Sequence, residues 1–327
     1  MPFNFMLKSA TQWRRGLVVV VAGGASAFVC YGGELDAIQA SAPESGDSRF
    51  KQALTLTYEQ YNQSLNIPER ELRFSPTGLS LQYAVTIDQG LYMNVDYGQF
   101  DDDQDFFGGT ADFTNQRWRV GVGYACQPWS GKIQYTQEKD RAQAHRSGLT
   151  IVETSEQADF MALSAEISRE FIQGNSWLAL SAFTEYQKDE GHTDIRVRTP
   201  QEQSGLRNTT DTDGTLLGIS ASASYLLAVS PETALVPSTA LSWSEPLSGE
   251  TRGATVAASF SRDQSPRRLR LEDSASTQGS GQLSAGLMYL YKTISVQGAA
   301  SFPLDRNTSF RDMDDGKRLS IGVGVSF

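Results

Sequence analysis

The most regular feature of the chain is a two-residue alternation of apolar and polar positions. Leu79, Leu81, Tyr83, Val85 and Ile87 hold every second place in one run. Leu91, Met93, Val95 and Tyr97 do so in the next, after Asp88-Gln89-Gly90. Successive side chains of a strand point to opposite faces, so each run predicts a strand with one apolar face. Comparable runs follow: Trp118 to Tyr124, Ile133 and Tyr135, Met161 to Ile167, Leu178 to Tyr186 and Leu217 to Leu227. The series continues through Leu235 to Trp243, Val256 to Phe260, Leu283 to Tyr291, Ile294 to Phe302 and Leu319 to Phe327. A first run carries Leu54, Leu56 and Tyr58. Past Arg49 no long segment keeps a helical period.

The connections predict how these strands join. Asp88-Gln89-Gly90, Gln127-Pro128, Gly174-Asn175, Pro231 and Lys292-Thr293 read as tight turns, with Gly supplying positive φ where needed. Between them lie long polar stretches near residues 62–76, 100–113, 138–157, 188–213 and 305–316. Long and short connections therefore alternate. With a weak strand over residues 267–272 the count is about 14, an even number; 12 is the alternative. The fold expected is all-β: a closed antiparallel transmembrane β-barrel with short periplasmic turns and long extracellular loops. Runs of about ten residues suit tilted strands crossing a bilayer. Soluble sandwiches also alternate, so the N-terminus, the strand length and the rhythm of connections carry the distinction.

Lys8, Arg14 and Arg15 precede a short apolar core from Gly16 to Ala22, and Ala25-Ser26-Ala27 supplies small residues for cleavage. Residues 1–27 thus read as a secretory signal peptide. Residues 28–49 read as a flexible periplasmic lead-in and residues 50–327 as the barrel. Cys30 lacks the small preceding residue that a lipoprotein signal requires, since Val29 stands there.

Composition narrows the class further. A mean hydropathy of −0.36 is too polar for a helical membrane bundle, yet it suits a wall in which alternate residues face lipid. A formal net charge of −10 argues against a nucleic-acid partner. Cys30 and Cys126 stand far apart and form no metal spacing.

The last residues add a resemblance. Ser320, Gly322, Val325 and Phe327 reproduce the polar-x-Gly-x-x-apolar-x-aromatic ending of bacterial outer-membrane β-barrels. That resemblance implies a barrel-assembly signal at these four residues, partners in outer-membrane lipid and the barrel-assembly machinery, and a place in the Gram-negative outer membrane. The chain is autotransporter-β-domain-like or porin-like. It departs from autotransporters in having only about twenty residues before its first strand, with no passenger domain.

Candidate chemistry is sparse. Arg117, Arg119 and Glu166 alternate with apolar neighbours and are the possible lumen charges. Asp101-Asp102-Asp103-Gln104-Asp105 and Asp312, Asp314, Asp315 read as solvated acidic loops without calcium-loop spacing. His192-Thr193-Asp194 and the Asp101/Asp103 pair resemble the catalytic groups of omptin proteases in loop placement, with the Asp and His order reversed. His145 and His192 both fall in loops, away from the Ser-His arrangement of outer-membrane phospholipases. The leading expectation is a passive channel or transporter for small solutes. A non-conducting surface-interaction or envelope-integrity barrel is the alternative, and an omptin-like rim hydrolase the third. No enzyme activity, cofactor, catalytic residue or metal site is expected.

Overall fold

A computed structural model describes residues 50–61, 63–67, 70–87, 90–106, 108–148, 151–200, 202–261, 267–275, 280–304 and 318–327. It also describes the short strands Val20–Val21 and Phe28–Val29, which pair with each other. The remainder of the expected signal peptide and lead-in lies outside the described residues.

Twelve strands close into one antiparallel barrel: β1 Phe50–Tyr61, β2 Thr77–Ile87, β3 Leu91–Phe106, β4 Gly109–Cys126, β5 Trp129–Arg146, β6 Ile151–Gln173, β7 Ser176–Arg198, β8 Glu202–Tyr225, β9 Thr233–Ser261, β10 Ser280–Tyr291, β11 Ile294–Pro303 and β12 Arg318–Ser326. Each strand pairs with its neighbours in sequence, and β12 pairs with β1 to close the wall. At that seam the Gln52 N–H donates to the Phe327 carbonyl at 3.0 Å, and the Phe327 N–H donates to the Gln52 carbonyl at 3.0 Å. No sheet edge is left in the closed part, which is how a barrel satisfies its backbone.

The wall is staggered. Register partners lead from Val325 through Leu54, Tyr83, Val95, Val120, Tyr135, Leu163, Tyr186 and Thr215 to Ser248 on β9. In the other direction they lead from Val325 through Ile294 and Tyr291 to Thr233. Ser248 and Thr233 are 15 positions apart on one strand, and the bulge at Leu247 accounts for one of them. The shear is therefore about 14, so the strands tilt as closure requires.

The strand count corrects the sequence expectation from about 14 to 12. The run Val256 to Phe260 is the far half of β9, a single strand of 29 residues. Arg267–Ala275 pairs with that far half, beyond the end of β10 on the same edge of β9. It is an added strand outside the closed wall. The long extracellular loops are corrected as well. Residues 100–113, 138–157 and 188–213 are mostly paired strand, because β3 to β9 run far past the apolar band before turning. The short turns fall where expected, at Gln127-Pro128, Gly174-Asn175, Pro231-Glu232 and Lys292-Thr293. Gly90 closes another, with φ +89°; a Cβ there would also lie 2.0 Å from the Ala125 carbonyl oxygen.

Candidate functional site

The polarity of the wall is reversed relative to a water-soluble barrel. Outward-facing positions of β4 and β5 include Trp118 at 47% exposure, Val120, Val122, Tyr124 and Ile133 at 54%. The intervening inward positions are Arg117 at 2%, Arg119, Lys132 at 8%, Gln134 and Glu138. The same reversal runs through β12, where Leu319, Ile321, Val323, Val325 and Phe327 are exposed and Gly322, Gly324 and Ser326 are buried. Aromatics mark both limits of the apolar band. Tyr124, Trp129, Phe171, Tyr225, Tyr291 and Phe327 are exposed at the end with short turns. Trp118 and Trp243 are exposed at the other limit, where Tyr97 packs on Trp118 with ring centroids 4.4 Å apart.

Inside the wall, one half carries the charge. Arg117 and Arg119 face inward and are buried. Arg117 reaches from β4 to Glu59 on β1 and grips it with two hydrogen bonds of 2.9 and 3.3 Å. It spans two strands to do so, crossing β2 and β3. Gly98 on β3 leaves space for the Phe100 ring, since a Cβ there would lie 2.8 Å from it. Ser80 donates to the same Glu59 at 2.8 Å. Asp96 lies 3.9 Å from Arg117, and Glu138 lies 3.9 Å from Arg119. Asn115 donates to Asp140. Glu166 also faces inward and accepts from Ser168 at 3.1 Å, and Ser168 contacts Ser181 of β7 at 2.9 Å. These pairs link β1 to β5 in one polar network, anchored by the charge-assisted bidentate grip of Arg117 on Glu59, and join β6 to β7 separately.

Above this network the inward face turns apolar. Tyr61, Phe74, Phe100 and Phe113 pack together with Ala111, Ala142 and Ala144. Ring centroids are 5.5 Å apart for Tyr61 and Phe100, and 5.7 Å for Phe74 and Phe113. Phe74 ends a hairpin of Gln63–Ile67 and Arg70–Phe74 that lies between β1 and β2 in the chain, and its ring is buried against the inner side. The Ser75 N–H donates to Asp102 at 2.7 Å and the Tyr61 N–H to the Pro76 carbonyl at 3.2 Å, tying the hairpin stem to the wall. Arg117 lies over the Phe100 ring at 5.2 Å and Arg318 over Tyr61 at 5.2 Å, coupling the aromatic group to the charges below. This aromatic tier was not legible in the sequence reading, which placed Phe100 and Phe113 at the ends of a loop.

At the turn end, Leu226, Ala234, Val236, Met288 and Leu290 make a second buried apolar cluster, with Trp177 packed against it.

The remaining candidates separate. Asp101 and Asp103 point outward on β3, while Asp102 points inward to Ser75. His192 and Asp194 lie on β7, with β4, β5 and β6 between them and β3. His192, Asp101 and Asp103 are exposed on the outer surface of a curved wall, so the omptin-like arrangement does not form. Asp194 instead accepts two hydrogen bonds from Arg207, at 2.7 and 3.0 Å. That hydrogen bonding holds its carboxyl below the usual aspartate range. Cys126 is a free thiol exposed at the turn end; Cys30 lies outside the described residues. Asp312, Asp314 and Asp315 lie there too. Among the described residues no three His, Cys, Asp or Glu side chains are grouped to hold a metal ion. No helix among them is long and apolar enough to cross a membrane.

No family model matches the chain, and no curated protein matches its sequence. Solved structures do match its fold. The translocator domain of the autotransporter NalP from Neisseria meningitidis superposes with a TM-score of 0.54 at 11% identity, covering 90% of this chain and 92% of that one. The β-domain of the Bordetella autotransporter BrkA superposes with a TM-score of 0.51 at 14% identity, covering 85% of this chain and 99% of that one. The closed twelve-stranded wall, the reversed polarity and these superpositions together give the chain the fold of outer-membrane β-barrels, similar to autotransporter translocator domains.

Proposed function

We propose that the protein resides in the outer membrane of a Gram-negative bacterium and serves as a passive channel for small hydrophilic solutes. The observation that supports this most is the reversal of polarity along alternate positions: an apolar, aromatic-bounded band outside, and hydroxyl and ionisable side chains inside. Only a wall with lipid on one side and water on the other gains from both faces at once. A cleaved signal at residues 1–27 would deliver the chain to the periplasm. There Ser320, Gly322, Val325 and Phe327 would be read by the assembly machinery. Deleting Phe327 is expected to leave secretion intact and to abolish the heat-modifiable outer-membrane band. A normal band in that variant would contradict the assigned signal.

Conductance of the purified protein in planar lipid bilayers tests the channel. Stepwise ion currents are expected, and their complete absence under all conditions would overturn the reading. Absence of current would favour a second reading, a surface-interaction barrel. The far halves of β6 to β9 support that alternative, because they project well past the apolar band as a paired sheet.

A further inference from the structure

The inward charges of the wall differ in what covers and what neutralises them. Arg117 at 2% exposure, Arg119 at 7% and Lys132 at 8% are each more than nine-tenths buried. The inward carboxylates Glu59, Asp96, Glu166 and Glu185 keep more of their surface toward the lumen. Arg117 is held on Glu59 at 2.9 Å with Asp96 at 3.9 Å, and Arg119 lies 3.9 Å from Glu138. Lys132 is the register partner of Glu166, but its side chain runs the other way along the wall: its Cε would lie 3.2 Å from a Cβ on Gly121 of β4. Glu166 accepts instead from Ser168 at 3.1 Å, and Glu185 accepts from Gln187. Among the described residues no cation is in ion-pair contact with either of these two carboxylates. Ser164 of β6 is the register partner of Glu185 on β7, so Glu166 and Glu185 stand on adjacent strands, two positions apart on one inward face. The described inward positions of β8 to β11 carry no Lys or Arg within the apolar band, and Lys51 on β1 and Arg318 on β12 stand at its two limits.

Resting on the channel reading above, we propose that the lumen passes small cations in preference to anions, and that Glu166 and Glu185 set the preference. Opposite charges in contact largely cancel for an ion some distance away, whereas a carboxylate held only by neutral donors keeps its field. Arg117 cancels Glu59 in this way, and no cation does so for Glu166 or Glu185. The cations of the wall also lie beneath its surface, so a passing ion meets carboxylates first. A low-dielectric wall lined by one sign of charge concentrates the opposite ion. Inward Asp and Glu side chains are a means by which pores select cations. The hydrogen bonds from Ser168 and Gln187 hold the two side chains in place without supplying a countercharge.

The test uses the purified mature protein in planar bilayers under a gradient of KCl, whose two ions diffuse almost equally in bulk water. The reversal potential gives the permeability ratio of potassium to chloride. The wild type is expected to favour potassium about tenfold at about 0.1 M salt, where charges act over about 10 Å, and to approach unity at about 1 M, where they act over about 3 Å. Glu166→Gln with Glu185→Gln is expected to bring the low-salt ratio most of the way to unity. Glu166→Lys with Glu185→Lys is expected to turn it in favour of chloride. Asp101→Asn with Asp103→Asn removes the same charge from the outer surface and is expected to leave the ratio nearly unchanged. Each variant is first checked for a heat-modifiable band; where one lacks it, the wild-type ratio and its salt dependence decide. A wild-type ratio at or below unity in low salt would overturn the preference while leaving the channel standing. A ratio unmoved by Glu166→Gln with Glu185→Gln, or moved as far by the outer pair, would do the same. An absence of current in the wild type would overturn the channel reading, and the preference with it.

Discussion

Strand β4 holds two regions that follow opposite rules. From Trp118 to Tyr124 its outward positions are apolar and its inward ones are Arg117, Arg119, Gly121 and Gly123. From Thr110 to Gln116 its outward positions are Thr110, Asp112, Thr114 and Gln116, and its inward ones include Ala111 and Phe113. The hydrogen-bond ladder to β3 and β5 runs unbroken through both. Strand β5 makes the same exchange, with Ile133 and Tyr135 outside below, and Lys139 and Arg141 outside above Ala142 and Ala144. One continuous strand pairing thus carries two opposite facings. Below the exchange the apolar face points outward; above it the apolar face points inward and meets the barrel's own aromatic cluster, Phe74 included. On the outer-membrane placement proposed above, the height at which polarity changes hands, not the end of the strands, marks the membrane surface.

Substitutions on either side of the exchange should break this comparison in different ways. The largest effect is expected for Phe113→Ala, which empties a fully buried aromatic position in the upper cluster. A buried Phe→Ala change costs about 3–5 kcal/mol, read as a lower denaturant midpoint in unfolding from lipid vesicles. A loss below 1 kcal/mol would show that the upper cluster is not a packed core. Next is Val120→Arg, an outward change inside the apolar band, expected to cost about 2–4 kcal/mol at bilayer depth. Gln116→Arg, only four residues away on the same face, is expected to shift stability by less than about 0.5 kcal/mol. Equal costs at the two positions would remove the distinction between the regions. Below the Val120→Arg cost comes Glu59→Gln, which leaves Arg117 with a neutral partner. Loss of a charge-assisted pair suggests about 2 kcal/mol, lowered by any water that reaches the lumen. An unchanged midpoint would show that the network adds nothing to folding.

The smallest effect is a pH dependence on the projecting sheet. Arg207 holds the Asp194 carboxyl below its usual range. A depressed carboxylate contributes stability at pH values above the unfolded aspartate pKa of about 3.9, and loses it as pH falls through the lower folded value. Asp194→Asn should therefore leave a slight loss at neutral pH that vanishes in strong acid. A difference that grows as pH falls would contradict the pairing.

The sequence made one of these regions legible and hid the other. Period-2 alternation announces a strand only where one face is apolar along its whole length. Leu79 to Ile87 and Leu319 to Phe327 meet that condition, and their strands, turns and closure could be read directly. Residues 138–157 and 188–213 do not. Beyond the apolar band their outward positions are polar, while Ala142, Thr154 and Thr193 on the inward side are small or only weakly apolar, so paired strand resembles loop. The same loss of contrast split β9, whose 29 residues pass through both environments, into two apparent strands. Arg117 and Arg119 stood out because they interrupt an apolar alternation. Their partners did not: Glu59 lies 58 positions away, and only barrel curvature brings it within reach of Arg117.

The central claim is that the exchange of faces between Gln116 and Trp118 marks the lipid boundary. It is tested most directly by spin labels placed singly at Thr114, Gln116, Trp118, Val120, Val122 and Tyr124 in lipid bilayers, with collision rates measured for oxygen and for a polar nickel complex. Labels at 114 and 116 are expected to meet the nickel complex freely. The balance should shift toward oxygen at 118 and reach its maximum near 120–122. A profile in which all six positions favour the nickel complex equally would contradict the account.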